Sequence, residues 1–334
     1  MAVKYVETTP GCDLDLSDNT NLWGVPPSVQ RALANANVSQ WSRYPSAYSN
    51  ELKSALANYV GVDPSMIVVG CGSDDVLDSA IRALTTTGES LAQLDPSFSM
   101  IPVFARVGGV SIVRISRASS SVSSAFIDAS AKLIYLCSPN NPTGEVLSAD
   151  DIESIVTAAQ GIVIIDEAYA EFAEGSALGL VKRYDNVLIT RTMSKAFGLA
   201  GFRIGFGIGS PDIVERVEAA RGPYKVTIPG ECAALAVLRQ DMNWVKDRAR
   251  DAVMNRRRFA AELCAMGHPP LESQANFVLV PVKDSSVTET EMRVRGIAVR
   301  RFDNLTSIGD AVRISVGPWP TMERCLDAFW EAVA

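Results

Sequence analysis

Histidine is almost absent from this chain of 334 residues. The single histidine, His268, lies in the turn-like sequence Gly267-His268-Pro269-Pro270. A Ser-His-Asp triad needs a histidine beside its nucleophile, and a multi-histidine metal site needs several. We therefore interpret His268 as a surface loop residue and predict no metal site. Catalytic proton transfer has to use lysine, aspartate, glutamate, tyrosine or cysteine.

Paired cysteines and long apolar runs are absent as well. No CxxC pair occurs, which excludes zinc ribbons and thioredoxin chemistry, and single cysteines suit a reducing compartment. The first sixteen residues contain no apolar signal-peptide core, and no stretch of eighteen apolar residues occurs. We therefore expect a cytoplasmic protein that does not span a membrane. The six cysteines are Cys12, Cys71, Cys137, Cys232, Cys264 and Cys325.

Positive charge is in deficit, with 31 lysines and arginines against 38 aspartates and glutamates and a formal net charge of −7. A mildly acidic chain without basic runs is a poor binder of nucleic acids or anionic membranes. The length and the 47% of hydrophobic residues allow a large core and suggest two domains.

Short apolar runs alternate with helical patterns in the first two thirds of the chain. Several runs are apolar on both faces, as strands covered by helices on each side must be. We predict a large α/β domain over residues 41–230, with a mostly parallel seven-stranded sheet between helices. Its strands are expected at residues 66–70, 90–95, 110–115, 132–137, 162–166, 187–191 and 202–208.

The pattern changes after residue 230. Residues 231–266 are predicted to form a long helix, followed by short strands at 275–280, 296–300 and 311–316 and a last helix from Thr321. This pattern predicts a smaller α+β domain over 231–334. Residues 1–40 are expected to pack with it.

The most specific segment is Thr190-Arg-Thr-Met-Ser-Lys-Ala-Phe-Gly-Leu-Ala-Gly-Phe-Arg203. Lys195 lies between an apolar strand and a weakly polar, glycine-containing stretch, where a lysine loses its proton more easily and can form a Schiff base. Arg203 lies in an apolar context, and a buried arginine needs an anion. With the hydroxyls of Thr192 and Ser194, it resembles a phosphate cradle beside a reactive amine. A structural carboxylate is the alternative partner of Arg203.

Further polar and aromatic residues follow other predicted strands. Asp166 ends the run 162–166, at the kind of strand end where ligands of open α/β sheets bind, and would suit a protonated pyridine nitrogen. Tyr169 follows three residues later, whereas Glu167 is interpreted as structural. Phe98 is a core residue or a ring that stacks on a planar ligand.

Two glycine-containing turns complete this set. Cys71-Gly-Ser-Asp-Asp75 joins a strand to a helix, so that Gly72 and Ser73 are placed to hold a phosphate on backbone N–H groups. Asn141 belongs to the turn Ser138-Pro-Asn-Asn-Pro-Thr-Gly144, which also follows a strand.

Taken in order, these motifs resemble those of pyridoxal-phosphate enzymes with the aspartate-aminotransferase fold (fold type I, class I/II), and most closely the histidinol-phosphate aminotransferase branch. The resemblance covers nearly the whole chain. Its motifs are Asn19-x-Asn21-x-x-Gly24, Arg43-Tyr44-Pro45, Ser138 to Gly144, Asp166-Glu-Ala-Tyr169, Ser194 to Arg203 and Arg313-Ile-Ser-Val-Gly317.

The resemblance implies a role for each matching residue. Lys195 would form the internal aldimine with pyridoxal phosphate and shuttle the proton, Asp166 would keep the pyridine nitrogen protonated, and Phe98 would stack on the ring. Asn141 and Tyr169 would bind the phenolic oxygen. The phosphate would be held by Gly72, Ser73, Thr192, Ser194, Arg203 and the Tyr44 of a partner subunit in a homodimer.

The substrate residues implied by the resemblance are Asn21, Trp23, Arg300 and Arg313. Arg313 would bind the α-carboxylate or phosphate of an amino donor, although its alternation with Val312 and Ile314 also allows a solvent-facing position. The chain departs from the family pattern at Thr20, Leu22, Arg301 and Trp319. Trp23 and Trp319 are expected to flank the pocket. An aromatic, cationic pocket favours histidinol phosphate first and aromatic amino acids second, with a 2-oxo acid as acceptor.

Two alternatives are open at this point. A threonine-phosphate decarboxylase of the same fold would use the same cofactor and break the Cα–carboxylate bond instead of Cα–H. A more distant alternative is a methyltransferase that uses S-adenosylmethionine, because Val68-Val-Gly-Cys-Gly-Ser-Asp74 resembles the glycine motif of that class. The methyltransferase alternative explains neither Lys195 nor Asp166.

Overall fold

The computed structural model describes residues 11–119 and 121–333. The strands of this part of the chain are β1 (Leu14–Asp15), β2 (Ile67–Cys71), β3 (Ser90–Asp95), β4 (Ser111–Ser116), β5 (Leu133–Cys137), β6 (Ile162–Asp166), β7 (Val187–Thr192), β8 (Ile204–Gly209), β9 (Phe277–Pro281), β10 (Ile297–Ala298), β11 (Arg300–Leu305) and β12 (Gly309–Ser315). The α-helices are α1 (Pro27–Ala34), α2 (Asn50–Val60), α3 (Gly72–Leu84), α4 (Ile101–Val107), α5 (Val122–Asp128), α6 (Ala149–Ala158), α7 (Pro211–Arg221), α8 (Ile228–Gln240), α9 (Met242–Ala265), α10 (Ser285–Val294) and α11 (Trp319–Val333).

The seven predicted strands form one sheet in the order β2-β8-β7-β6-β5-β3-β4. All neighbours are parallel except that β8 runs antiparallel to both β2 and β7. The predicted fold class, an α/β sheet with mostly parallel strands, is confirmed.

Successive residues of the central strands enter two separate cores. Ile164 and Leu188 pack on the face covered by α3 and α7, whereas Ile165 and Ile189 pack on the opposite face, together with residues of α2, α6 and α8. Because both faces are buried, these strands carry apolar residues at nearly every position. In β6, the polar side chain, that of Asp166, is at the end of the strand.

A second, smaller sheet lies near the end of the chain. Its order is β11-β12-β9, with antiparallel neighbours, and it packs in a third core with α11 and the last part of α9. The short strand β1 pairs in parallel with β10 through Leu14 and Ile297. The segment after β1 therefore starts beside the small sheet.

The N-terminal region then crosses to the large sheet. Val29 of α1 belongs to the core of the large sheet, as do Ala233 of α8 and Val245 of α9. The domain boundaries at residues 40 and 230 stay a prediction.

Two predicted elements are divided in the structure. The long helix expected over 231–266 is broken at Asp241, whose carboxylate accepts the backbone N–H of Ser28 at 2.6 Å. Aspartate is a poor residue for a helix interior, and here its carboxylate bonds the backbone at the start of α1, 213 positions away. The strand expected over 296–300 is split, because β10 pairs with β1 whereas β11 pairs with β12.

Helix α6 begins with Ser148 as its N-cap, whose Oγ accepts the N–H of Asp151 at 3.0 Å. Among the described residues, no helix combines the length and the apolar character needed to cross a membrane.

Candidate active site

The candidate site lies at one edge of the large sheet. Six strands, β2 to β7, end at this edge, and the antiparallel β8 begins there. Gly72, Phe98, Asn141 and Asp166 lie at or just after four of these ends, and Arg203 precedes β8. Sheet topology thus gathers residues that are far apart in sequence.

A cavity of about 960 Å³ opens at this edge. The cavity reaches from the strand ends of the large sheet to helix α10 and to strands β11 and β12 of the smaller sheet. The predicted site residues that line it are Ser73, Phe98, Asn141, Asp166, Tyr169, Thr192, Ser194, Lys195, Arg203, Arg300 and Arg313.

Lys195 follows β7 in a tight turn, in which Gly198 donates its N–H to the Lys195 carbonyl at 3.1 Å. Gly198 has φ +67°, and a Cβ at this position would collide with the Gly24 carbonyl oxygen, so the turn requires glycine. Lys195 Nζ donates to the Asp18 carbonyl at 2.9 Å. Burial, together with the nearby Arg313 guanidinium, lowers the Lys195 pKa to about 8. The amine is therefore partly neutral near neutral pH.

Asp166 is a buried carboxylate with 3% of its surface exposed. It accepts hydrogen bonds from Tyr135 Oη at 2.7 Å and from Thr190 Oγ1 at 3.0 Å. Burial raises its pKa to about 6, against the lowering effect of these two donors. No lysine or arginine among the described residues forms an ion pair with Asp166. Its electrostatics favour a cationic ligand in the cavity.

Arg203 and two hydroxyl residues form one end of the cavity. Arg203 Nη1 donates to Ser194 Oγ at 3.4 Å, and the Ser194 N–H donates to Thr192 Oγ1 at 3.1 Å. Gly72 is not in the cavity lining, but a Cβ there would lie 2.5 Å from Arg203 Nη2. Glycine at position 72 therefore lets the guanidinium approach the start of α3.

The expectation that Arg203 is buried is wrong, because 46% of its side chain is exposed where the cavity opens. Its nearest carboxylate is Asp74, at 3.8 Å. This long contact and the exposure leave the guanidinium able to meet an anion.

Arg313 lies at the other end, and only 6% of its surface is exposed. The alternative of a solvent-facing Arg313 is therefore wrong. The guanidinium lies 5.3 Å from the ring centre of Phe277 and 5.7 Å from that of Phe302, and Nη1 donates to Asn141 Oδ1 at 2.5 Å. Tyr169 Oη accepts from Asn19 Nδ2 at 3.1 Å.

Besides Gly72, three predicted site residues do not line the cavity. Asn21 Nδ2 donates to the Ala196 carbonyl at 2.9 Å, beside Lys195. Trp23 packs against the core of the large sheet. Tyr44 is 83% exposed, with its ring 5.0 Å from that of Tyr224.

Trp319 also lies away from the cavity, with Arg258 stacked 3.5 Å over its ring. The expectation that Trp23 and Trp319 flank the pocket is therefore wrong. The aromatic residues in the lining are Phe98, Tyr169 and Phe302.

Some lining residues were not predicted from the sequence, namely Asp18, Glu289, Arg293 and Phe302. Arg300 Nη2 donates to Asp18 Oδ1 at 2.7 Å, and Arg293 Nε donates to Glu289 Oε1 at 3.0 Å. Phe302 could have been found, because it is two residues after Arg300 on β11 and alternate residues share a face. The other three carry no comparable signal.

Glu167, interpreted as structural, points away from this cavity. Its carboxylate accepts from Arg191 Nη2 at 2.7 Å and from the N–H of Ala177 at 2.5 Å, and its ion pair with Arg191 is almost fully buried. The structural interpretation of Glu167 is confirmed.

The sheet order and the lysine that follows β7 define an enzyme of fold type I. The profile of the family "Aminotransferase class I and II" matches residues 13–329, and the chain belongs to this family. The predicted enzyme class, an aminotransferase, and the predicted cofactor, pyridoxal phosphate, are thereby confirmed, and the methyltransferase alternative loses its support.

Similar proteins agree with this assignment. The chain is 34% identical over 321 residues to a histidinol-phosphate aminotransferase of Rippkaea orientalis, covering 95% of this chain and 91% of the relative. The histidinol-phosphate aminotransferase of Sinorhizobium meliloti, solved in complex with pyridoxal-5'-phosphate, superposes with a TM-score of 0.86 at 26% identity and covers 96% of this chain and 91% of its own. An L-threonine-O-3-phosphate decarboxylase from Porphyromonas gingivalis gives a TM-score of 0.82 at 21% identity, covering 94% and 98%, which shows a shared fold alone.

Proposed function

We propose that this aminotransferase moves an amino group from histidinol phosphate, or in second place from an aromatic amino acid, to a 2-oxo acid. The observation that carries the reaction is the meeting, in one cavity, of the Lys195 amine, the Asp166 carboxylate and the Arg313 guanidinium. The similarity to histidinol-phosphate aminotransferases over most of both chains supports the substrate.

The cavity fits pyridoxal phosphate by the chemistry of its residues. Asp166 is a buried acid that lacks a cation among the described residues, and a protonated pyridine nitrogen would supply one. Hydrogen-bond donors for the cofactor phosphate are supplied by Ser73, Thr192, Ser194 and Arg203. When bound, the cofactor supplies an aldehyde for the amino group and an aromatic ring that accepts electrons.

Lys195 is proposed to move the proton. A burial-lowered pKa of about 8 leaves a sizeable neutral fraction of the amine, which can take a proton from the substrate Cα and return it later. The Asp18 carbonyl and the turn at Gly198 fix the position of this amine. Phe98 is proposed to stack on the ring, and Asn141 and Tyr169 to donate to its oxygen.

Arg313 is proposed to hold the anionic group of the amino donor. Its guanidinium is buried, and a charge-assisted hydrogen bond between a buried guanidinium and an anion is strong. The substrate would take over contacts that Arg313 now makes to Asn141 and the Ser17 carbonyl. Arg300 is proposed to lie at the distal end of the same substrate.

The test is a donor panel with the cofactor-loaded enzyme and 2-oxoglutarate as the 2-oxo acid. We expect glutamate to form fastest with histidinol phosphate and more slowly with phenylalanine or tyrosine. Phosphothreonine tests the decarboxylase alternative through release of carbon dioxide. Carbon dioxide from phosphothreonine without glutamate from any donor would overturn the proposal.

We also propose a homodimer, in which Tyr44 reaches the cofactor phosphate of the partner subunit. Its high exposure, next to the exposed rings of Trp41, Tyr48 and Tyr224, supports an apolar contact surface. Sedimentation equilibrium should give twice the mass of the chain, and Tyr44→Ala should weaken cofactor binding. A fully active monomer would contradict this assembly.

The proposed location is the cytoplasm. All six cysteines are free in the structure, which supports a reducing compartment. Cell fractionation tests this location directly.

A further inference from the structure

Tyr135 contacts the Asp166 carboxylate from the neighbouring strand. It lies on β5, which is parallel to β6, and its side chain is 1% exposed. Its hydroxyl donates to Asp166 Oδ2 at 2.7 Å. Tyr135 is not in the cavity lining, whereas Asp166 is, so the phenol approaches the carboxylate from behind.

The strand on the other side supplies a second donor. β6 lies between β5 and β7, and Thr190 of β7 donates to Asp166 Oδ1 at 3.0 Å. Each carboxylate oxygen thus has one donor from within the sheet. Because each oxygen can accept more than one hydrogen bond, Asp166 keeps capacity for a ligand on its cavity side.

We infer that Tyr135 is a positioning residue of this enzyme: its phenolic O–H keeps the Asp166 carboxylate ionised and aimed at the ring nitrogen of the cofactor. The inference rests on the proposed role of Asp166.

Tyr135 is suited to this task because its hydroxyl can only donate to an ionised carboxylate, which has no proton of its own to give. Burial and the adjacent Asp166 raise the pKa of Tyr135 well above its ordinary value, so the proton stays on the phenol. The pKa of the Cys137 thiol, on the same strand, is likewise raised by burial, so the thiol stays neutral. The other titratable groups that face Asp166 are Asp74 of α3, whose charge disfavours ionisation of Asp166, and Tyr169, whose pKa is raised by burial. Without the phenol, the carboxylate is left with Thr190 and the backbone N–H of Ala168 as donors.

The test measures cofactor affinity in the absence of turnover. In a Lys195→Ala background, which removes the covalent bond, the Kd of pyridoxal phosphate is measured by equilibrium dialysis from pH 5 to 9 for the parent and for Tyr135→Phe. Protonation of Asp166 in the free protein opposes binding of a pyridinium, so affinity falls on the acid side. Loss of a hydrogen bond to a charged group should move this acid limb upward by about one pH unit, or about tenfold in Kd on the limb.

Two controls separate positioning from packing. Tyr59→Phe removes another largely buried phenol, which donates to Glu171 at 3.2 Å outside the cavity lining, and should leave the limb in place. A cofactor analogue with C–H in place of the ring nitrogen should bind Tyr135→Phe no more weakly than the parent. An unmoved limb in Tyr135→Phe, or an equal shift with Tyr59→Phe, overturns the inference.

A further arm tests the underlying role of Asp166. Asp166→Asn should weaken binding of pyridoxal phosphate and abolish the limb. If the Asp166→Asn variant binds pyridoxal phosphate like the parent, the proposed roles of both Asp166 and Tyr135 are wrong. If it binds the cofactor weakly while the acid limb of Tyr135→Phe does not shift, only the proposed role of Tyr135 is wrong. Should Tyr135→Phe fail to fold, 3-fluorotyrosine at position 135, a stronger donor of the same shape, should move the limb downward, and an unmoved limb overturns the inference.

Discussion

The two ends of the cavity are built in different ways. At the cofactor end, Asp166 and Thr192 sit on buried strands of the large sheet, and Asp166 has no cationic partner among the described residues. At the substrate end, Arg293 and Arg300 belong to α10 and β11, are partly exposed, and are paired with Glu289 and Asp18.

This difference assigns different tasks to the two ends. At the cofactor end, the buried strand positions of Asp166 and Thr192 suit chemistry that depends on fixed charges, whereas Arg203 is exposed where the cavity opens. At the substrate end, the partly exposed ion pairs of α10 and β11 can exchange their partners for substrate groups, which suits an enzyme that must accept two substrates in turn, whereas Arg313 is buried. Changes at the cofactor end should therefore act on kcat, and changes at the substrate end on KM.

The largest effect is expected for Lys195→Ala. Loss of the amine removes both the covalent attachment and the proton shuttle, and kcat should fall by at least about 10⁴-fold. Turnover with the best donor measures this, and absorbance after dialysis against pyridoxal phosphate should show that the cofactor still binds. Lys182→Ala, at an exposed lysine, is the matched control. Normal turnover by the Lys195→Ala enzyme would refute the role of Lys195.

Arg313→Ala should have the next largest effect and should act on anionic donors. Loss of a desolvated charge-assisted pair costs about 2–5 kcal/mol of binding, and kcat/KM should fall by about 30- to 5,000-fold. Steady-state kinetics with histidinol phosphate should show the loss, whereas an amine without an anionic group should change much less. Arg258→Ala removes an arginine stacked on Trp319 outside the cavity and should be neutral. Equal losses for charged and uncharged donors would place the anion clamp elsewhere.

Asp166 should make the cofactor-free protein less stable as the pH rises. Burial raises its pKa from 3.8 to about 6, so the folded protein binds this proton more tightly than the unfolded chain. The resulting stability is fully present below about pH 4 and lost as the pH passes 6, roughly 3 kcal/mol in all. Urea unfolding from pH 4 to 8 measures it, as the difference between the parent and Asp166→Asn.

The matched control for this measurement is Asp150→Asn, at an exposed position in the first turn of α6. Its stability difference from the parent should not follow the same curve. A parent-minus-Asp166→Asn difference that stays constant with pH would show that Asp166 is not the titrating group.

The cofactor end could be read from the sequence because local pattern fixes it. One apolar run ends in Asp166 and another leads to Lys195. These runs predict two strands and the edge of the sheet at which both strands end. The substrate end depends on long-range placement. Asp18 meets Arg300 across 282 positions, and Glu289 lines the cavity only because α10 packs beside β11. The break at Asp241 was equally hidden, since its cause is the N-terminus of α1.

The smallest effect is expected at the mouth of the cavity, from Glu289→Gln. The Glu289 and Arg293 side chains are 13% and 34% exposed, and a pair of this kind contributes about 0–1 kcal/mol to stability, so the fold should be unaffected. Because Glu289 lines the cavity, we expect Glu289→Gln to change the KM for histidinol phosphate by about two- to tenfold and to leave kcat unchanged. Glu291→Gln breaks the neighbouring pair with Arg295, which is also an i,i+4 pair but lies outside the lining, and should leave KM alone. Should Glu289→Gln instead lower kcat at constant KM, the division of tasks between the two ends of the cavity fails at this residue.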